Sequence, residues 1–114
     1  MIELLNKLNN INFEELDIDE FLNKRDIEPF DSNWVRVYQI IEEMKKGRAI
    51  DSTKDIEKKV YIIVYEQTGN NELAGYISDD FGLIADSKIL GYTEEWLEKF
   101  ISCYENSLLP CGVL

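Results

Sequence analysis

The sequence predicts an α+β fold, with about five helices packed on a small, mainly antiparallel sheet. Helix-like patterns occupy both ends of the chain instead of alternating with strands. Between them, all six residues of the run 60–65 (VYIIVY) favour strands. Turn-forming residues at 68–71 and a second apolar run over 73–77 follow, so we predict a central hairpin. With 114 residues, we expect one domain spanning residues 1–114.

Three helices are predicted before the hairpin. Residues 2–8 place their leucines on one side of a short helix. Asn12 and Glu15 match the capping-box spacing that starts a second helix. Asp31 begins a third helix, and Gly47, which follows two lysines, is a typical stop.

Two helices are predicted after the hairpin. Ser78 is expected to cap the first, because Asp79 and Asp80 behind it suit the positive end of a helix dipole. Gly91 is expected to end this helix, and Thr93 to cap the last one. These two helix starts follow short connections, so their acidic residues are predicted to share one surface.

The charge of the chain narrows the class of partner. It has 23 acidic against 12 basic residues and a net charge of −11. Such a surface repels phosphate backbones and anionic lipid, so we expect no nucleic-acid partner and no membrane partner. A basic protein is the favoured partner, although an acidic surface also serves solubility alone. The sequence has no signal-peptide pattern, no apolar run of roughly 20 residues and only two cysteines. We therefore predict a cytoplasmic protein whose cysteines are reduced.

The residue inventory argues against familiar catalytic chemistry. The chain has no histidine, which removes the usual general base and the usual metal ligand. Cys103 and Cys111 alone cannot form a four-ligand zinc site. The six glycines are scattered and form no phosphate-binding loop. We therefore expect no enzyme activity, no catalytic residue, no metal and no cofactor.

Two acidic clusters have residues of the kind that bind cations. Residues 17–20 (DIDE) resemble the start of a calcium loop but lack its glycine and its terminal glutamate. Asp79, Asp80 and Asp86 could hold a magnesium ion, yet the first two also suit a helix start. Ordinary helix-start acids are the favoured interpretation of both clusters.

Several segments near the C-terminus resemble a known class of proteins: YI at 76–77, SDDFGLIA at 78–85, LGY at 90–92 and WL at 96–97. This pattern is similar to that of the small acidic immunity proteins of bacterial contact-dependent and polymorphic toxin systems. The resemblance implies a protein that binds and neutralises a cognate toxin in the cytosol. It transfers no individual functional residue to this chain.

The favoured function is therefore a protein-binding inhibitor, an immunity protein that blocks a basic toxin domain, often a nuclease, by occlusion. One alternative is a phage or mobile-element protein that mimics nucleic-acid charge or blocks a defence complex. A second alternative is a carboxylate- or metal-dependent enzyme.

The predicted partner-binding residues are the acids of the last two helices and one aromatic residue that would slow dissociation. They are Asp79, Asp80, Asp86, Tyr92, Glu94, Glu95 and Glu98. A second candidate patch consists of Asp17, Asp19 and Glu20.

Overall fold

The computed structural model describes residues 2–114, and every regular element in them is helical. A short 3-10 helix, Phe13–Glu15, lies between the first two α-helices. The α-helices are α1 (Ile2–Leu8), α2 (Ile18–Arg25), α3 (Phe30–Lys45), α4 (Lys54–Thr68), α5 (Asn71–Leu90) and α6 (Glu95–Glu105).

The predicted α+β class is wrong, because the described residues contain no strand and both halves of the expected hairpin are helical. Residues 60–65 lie in α4 and residues 73–77 in α5. In α4, Val60 and Val64 are fully buried, whereas Ile62 is 44% exposed. A strand would turn all three to the same face, while a helix places positions four apart together. The burial spacing, rather than the β-branched composition, reveals the element.

The turn predicted at residues 68–71 exists, but it joins two helices. Gly69 ends α4 in the left-handed conformation, with φ of 65°. Asn70 caps α5, since its side-chain oxygen accepts a hydrogen bond from the Leu73 amide at 2.9 Å. A glycine stop followed directly by an asparagine cap explains the tight helix–helix connection.

The long helix α5 starts earlier than predicted and is buried around most of its circumference. Ser78 is therefore not a helix cap. It lies inside the helix, and its hydroxyl donates a hydrogen bond to the Glu57 carbonyl oxygen at 2.9 Å. Asp79 and Asp80 consequently lie in the third turn, where the helix dipole gives them little stabilisation.

The chain forms two compact units. The terminal unit comprises residues up to Val37 together with Glu94–Leu114, and the middle unit comprises Tyr38–Thr93. Helix α3 contributes its first half to the terminal unit and its second half to the middle unit.

An aromatic cluster forms much of the core of the terminal unit, in which α1 also packs on α6. Phe100 stacks on Trp96 with ring centroids 5.1 Å apart and meets Tyr104 edge-on at 5.9 Å. Phe30 completes the cluster from α3, 5.5 Å from Trp96. The buried guanidinium of Arg25 lies 4.4 Å from the Phe30 ring centroid, a cation–π arrangement. This cluster fixes α6, and with it the acidic residues at its start.

The middle unit is built on the packing of α4 against α5. Gly82 of α5 lies against the side chain of Glu57 from α4, because a Cβ at this position would lie 2.8 Å from Glu57 Cδ. The glycine therefore lets a partly buried carboxylate side chain lie against the α5 backbone.

Candidate functional site

Four of the predicted partner-binding residues belong to the middle unit, and two of them are not on its surface. Asp80 has no exposed area and Asp86 is almost completely buried. Asp79 is exposed and Tyr92 is half-buried. A partner could therefore reach only Asp79 and Tyr92 of this group without rearranging the helix.

Asp86 takes part in an internal ion-pair network. Lys45 Nζ lies 2.6 Å from Asp86 Oδ2 and 3.0 Å from Glu42 Oε1. Burial lowers the pKa of Lys45, but its hydrogen bonds to Asp86 and Glu42 outweigh this and hold that pKa above its ordinary value. Nearby, burial, then the negative charges of Asp79 and Asp86, raise the pKa of Glu57. The network is best explained as a structural one, since Lys45 neutralises carboxylates of the same unit.

The other three predicted residues, Glu94, Glu95 and Glu98, lie at the start of α6 in the terminal unit. Glu94, rather than the predicted Thr93, occupies the N-cap position. The Arg36 guanidinium donates two hydrogen bonds to Glu94, at 2.5 and 2.6 Å, in a bidentate pair. Glu95 pairs with Lys99 at 3.2 Å, and Glu98 is exposed. Much of the negative charge at this helix start is thus already matched by cations of the unit itself.

A shallow groove of about 290 Å³ lies beside this helix start. Its lining consists of Arg36, Glu94, Glu95, Trp96, Lys99 and Leu114. Because two carboxylates and two cations line it, the groove has no strong preference for either sign of charge.

The second candidate patch is the most exposed group of predicted acids. Asp17, Asp19 and Glu20 are all exposed, at the cap and first turn of α2. Asp17 accepts a hydrogen bond from the Glu20 amide at 3.1 Å, and Glu20 pairs with Lys24 at 3.0 Å. A hydrogen bond to Glu20 and its charge raise the pKa of Lys24.

Two further acids extend this patch and were missed at the level of sequence. Glu14 and Glu15 are exposed on the 3-10 helix directly before α2. The signal was present, because residues 14–20 (EELDIDE) contain five acids and no base. We name the acids of residues 14–20 the N-terminal acidic segment; all five lie in the terminal unit.

Residues 2–114 form neither a metal-binding cluster nor a membrane-spanning helix. No group of three or more cysteine, aspartate or glutamate side chains there is arranged to hold a metal ion. None of the helices formed by these residues combines the length and apolar character needed to cross a membrane.

Comparison with known proteins then identifies the family. No curated protein matches the chain. A family model described as Immunity protein PIM1 matches residues 1–111, which include every segment that resembled toxin immunity proteins. That resemblance is confirmed, and the chain belongs to the Immunity protein PIM1 family.

Proposed function

We propose that this immunity protein neutralises a basic toxin domain in the cytoplasm by binding to it and blocking access to its active site. The family match over residues 1–111 is the observation that carries the immunity role and implies a toxin partner. The net charge of −11 supports a basic character for that partner. Opposite charges accelerate encounter between proteins and favour a partner with a positive surface.

A nuclease is the favoured class of toxin. The active site of a nuclease must attract a polyanionic phosphate backbone, so its surface is positive where the substrate enters. An acidic protein that docks there competes directly with the substrate. Inhibition then needs only a stable complex, and no chemical step on the toxin is required.

The N-terminal acidic segment is our preferred site of contact. Its five acids are exposed, and Lys24 is the one cation seen to pair with any of them in the described structure. The acids predicted near the C-terminus are less available, because Asp80 and Asp86 are buried and Glu94 is held by Arg36. Carboxylates without an internal cation contribute most to the field that a basic partner meets.

Protection of cells tests this proposal. The candidate toxin, which is the product of the gene immediately upstream of the one that encodes this chain, is expressed under an inducible promoter, and growth is measured with and without the immunity protein. We expect the wild-type chain to restore growth and the triple variant Glu14→Lys/Glu15→Lys/Asp19→Lys to protect at least tenfold less well. The triple variant leaves the α2 cap Asp17 in place, so the fold should persist.

A control of equal charge separates local contact from net charge. The variant Asp51→Lys/Glu66→Lys/Glu105→Lys makes the same change at exposed positions outside the segment. It should protect almost as well as the wild type. Equal loss of protection in both variants would show that the segment is not the contact site, and absence of protection by the wild type would refute the proposal itself.

A further inference from the structure

A larger groove lies in the terminal unit beside the N-terminal acidic segment. Its volume is about 490 Å³, and its two sides come from residues 11–24 and from the segment after α6, residues 107–111. All of its lining residues belong to one unit. A site of this size accommodates one or two large side chains of a partner.

The apolar part of the groove is accessible mainly at Leu108, whereas Phe21 is buried and the other apolar lining residues are half-buried. Ile11, Leu16, Phe21, Leu108 and Leu109 contribute to its lining. The Leu108 side chain is prominent, because 60% of this residue is exposed. Accessible apolar surface surrounded by polar residues is typical of protein-interaction sites.

The wall that carries Leu108 is held in place by the end of α6. The Leu108 amide donates to the Cys103 carbonyl oxygen at 2.8 Å, and the Ser107 amide to the Tyr104 carbonyl oxygen at 3.0 Å. Two residues later, Pro110 is buried. The wall is thus preorganised, which lowers the entropy cost of binding at Leu108.

The charged rim of the groove is acidic. Glu15, Asp17 and Glu20 line it, and Lys24 is the single basic residue among the lining residues. Because Lys24 is paired with Glu20, the rim keeps a net negative charge. An apolar interior with a negative rim selects against anions and favours an apolar group flanked by cations.

We propose that this groove receives a segment of the toxin in which a large apolar side chain is flanked by Lys or Arg. This inference rests on the proposed function and adds the place and chemistry of recognition. The apolar side chain fills the space beside Leu108 and Phe21, while the flanking cations meet Glu15 and Asp17. A second copy of the chain is a poorer occupant, because two chains that each carry a net charge of −11 repel one another.

Substitution of Leu108 tests the apolar contact. Leu108→Glu should be tolerated by the fold, because the residue is largely exposed. The new carboxylate would lose its hydration when the toxin binds, which weakens the complex. Isothermal titration with the purified toxin domain should show a Kd raised by about 30-fold, the loss typical of a central interface residue. The matched control is Ile89→Glu, an apolar-to-acid change at an exposed residue outside the groove; its Kd should stay within about twofold, as at energetically neutral positions.

Chemical protection of Cys111 provides an independent readout. This thiol lines the groove and is half-buried. In the variant Cys103→Ser it is the sole cysteine, so labelling by a maleimide reports on the groove alone. Saturation with toxin should slow the labelling of Cys111 at least tenfold.

The outcomes distinguish this inference from the immunity role. If the wild type binds and protects while Leu108→Glu keeps its Kd and Cys111 is labelled at the same rate, the groove is not the binding site and the immunity proposal stands. If the wild type does not bind the toxin, both fail. If Leu108→Glu instead changes the sedimentation of the chain alone, the groove is a contact between copies and the toxin assignment is wrong.

Discussion

Lys45 provides the sharpest test of the electrostatic description of the middle unit. We consider Lys45→Met, which keeps most of the side-chain length and removes the charge. The Asp86 side chain is 11% exposed and that of Lys45 is 29% exposed, with 2.6 Å between the charged atoms. Loss of the cation leaves the almost completely buried Asp86 close to Glu57 and without its ion-pair partner.

The expected cost lies between two limits. Exposed ion pairs contribute about 0–1 kcal/mol, whereas loss of one partner of a fully buried pair costs about 3–5 kcal/mol. For this partly buried pair, we expect Lys45→Met to lower the free energy of unfolding by about 2 kcal/mol at pH 7. Urea denaturation followed by circular dichroism measures this change directly.

The neighbouring lysine offers a matched control. Lys46 pairs with Glu43 at 2.8 Å, but the two side chains are 74% and 73% exposed. Lys46→Met should therefore cost less than about 0.5 kcal/mol. Equal effects of the two substitutions would refute the claim that burial makes the Lys45–Asp86 pair important. Because the pKa of Lys45 is raised in the folded protein, its stabilising contribution should be lost as pH rises through that pKa, so the cost of Lys45→Met should shrink at alkaline pH.

Four other substitutions test the helix connection, the aromatic core and the partly buried carboxylate of Glu57. Gly69→Ala should lower the free energy of unfolding by about 1 kcal/mol through its positive φ alone, since nothing lies within 4 Å of an added Cβ. Asn70→Ala should lower it by about 1 kcal/mol through loss of the helix cap. Urea denaturation measures both changes. Phe100→Ala should cost about 3–5 kcal/mol, because the ring is fully buried in the aromatic cluster; a loss below about 1 kcal/mol would contradict that packing. Glu57→Gln should raise Tm at pH 7, because burial and nearby carboxylates raise the pKa of Glu57 and make its ionised form unfavourable. This advantage over the wild type should fade as pH falls through that raised pKa towards the ordinary value of 4.5, and calorimetry at several pH values would detect an opposite trend.

The sequence was sufficient for some helices but not for the class of the fold. Local signals located the turn at Gly69 and Asn70 and the end of α5 at Gly91. They failed over residues 60–65, where β-branched and aromatic residues dominate. Strand propensity largely reflects the surroundings of a residue, and packing against α5 overrides it here. Which residues of 60–65 are buried depends on the packing of α5, so the burial of Val60 and the exposure of Ile62 could not be predicted from this segment alone.

The candidate interface shows a similar limit. Asp80 and Asp86 looked like surface acids because carboxylates are rarely buried. They are buried because α5 is enclosed on most sides. The cation that pairs with Asp86 comes from Lys45, which lies forty-one positions earlier in the chain. An ion pair between residues so far apart in the chain depends on tertiary contacts, which the sequence around either residue does not reveal. The exposed acids of α2 were found from sequence, whereas the groove beside them requires residues 107–111, which are remote in the chain.

Titration of toxin activity with the purified immunity protein tests the central claim of inhibition by binding most directly. A fixed concentration of the toxin domain, well above the Kd, is mixed with increasing amounts of the protein, and residual activity is measured after several incubation times. We expect activity to fall linearly to zero at a fixed molar ratio, with the same end point at every time. Inactivation by substoichiometric amounts that progresses with time would show catalysis instead of occlusion, and undiminished activity at excess protein would show that this toxin is not neutralised.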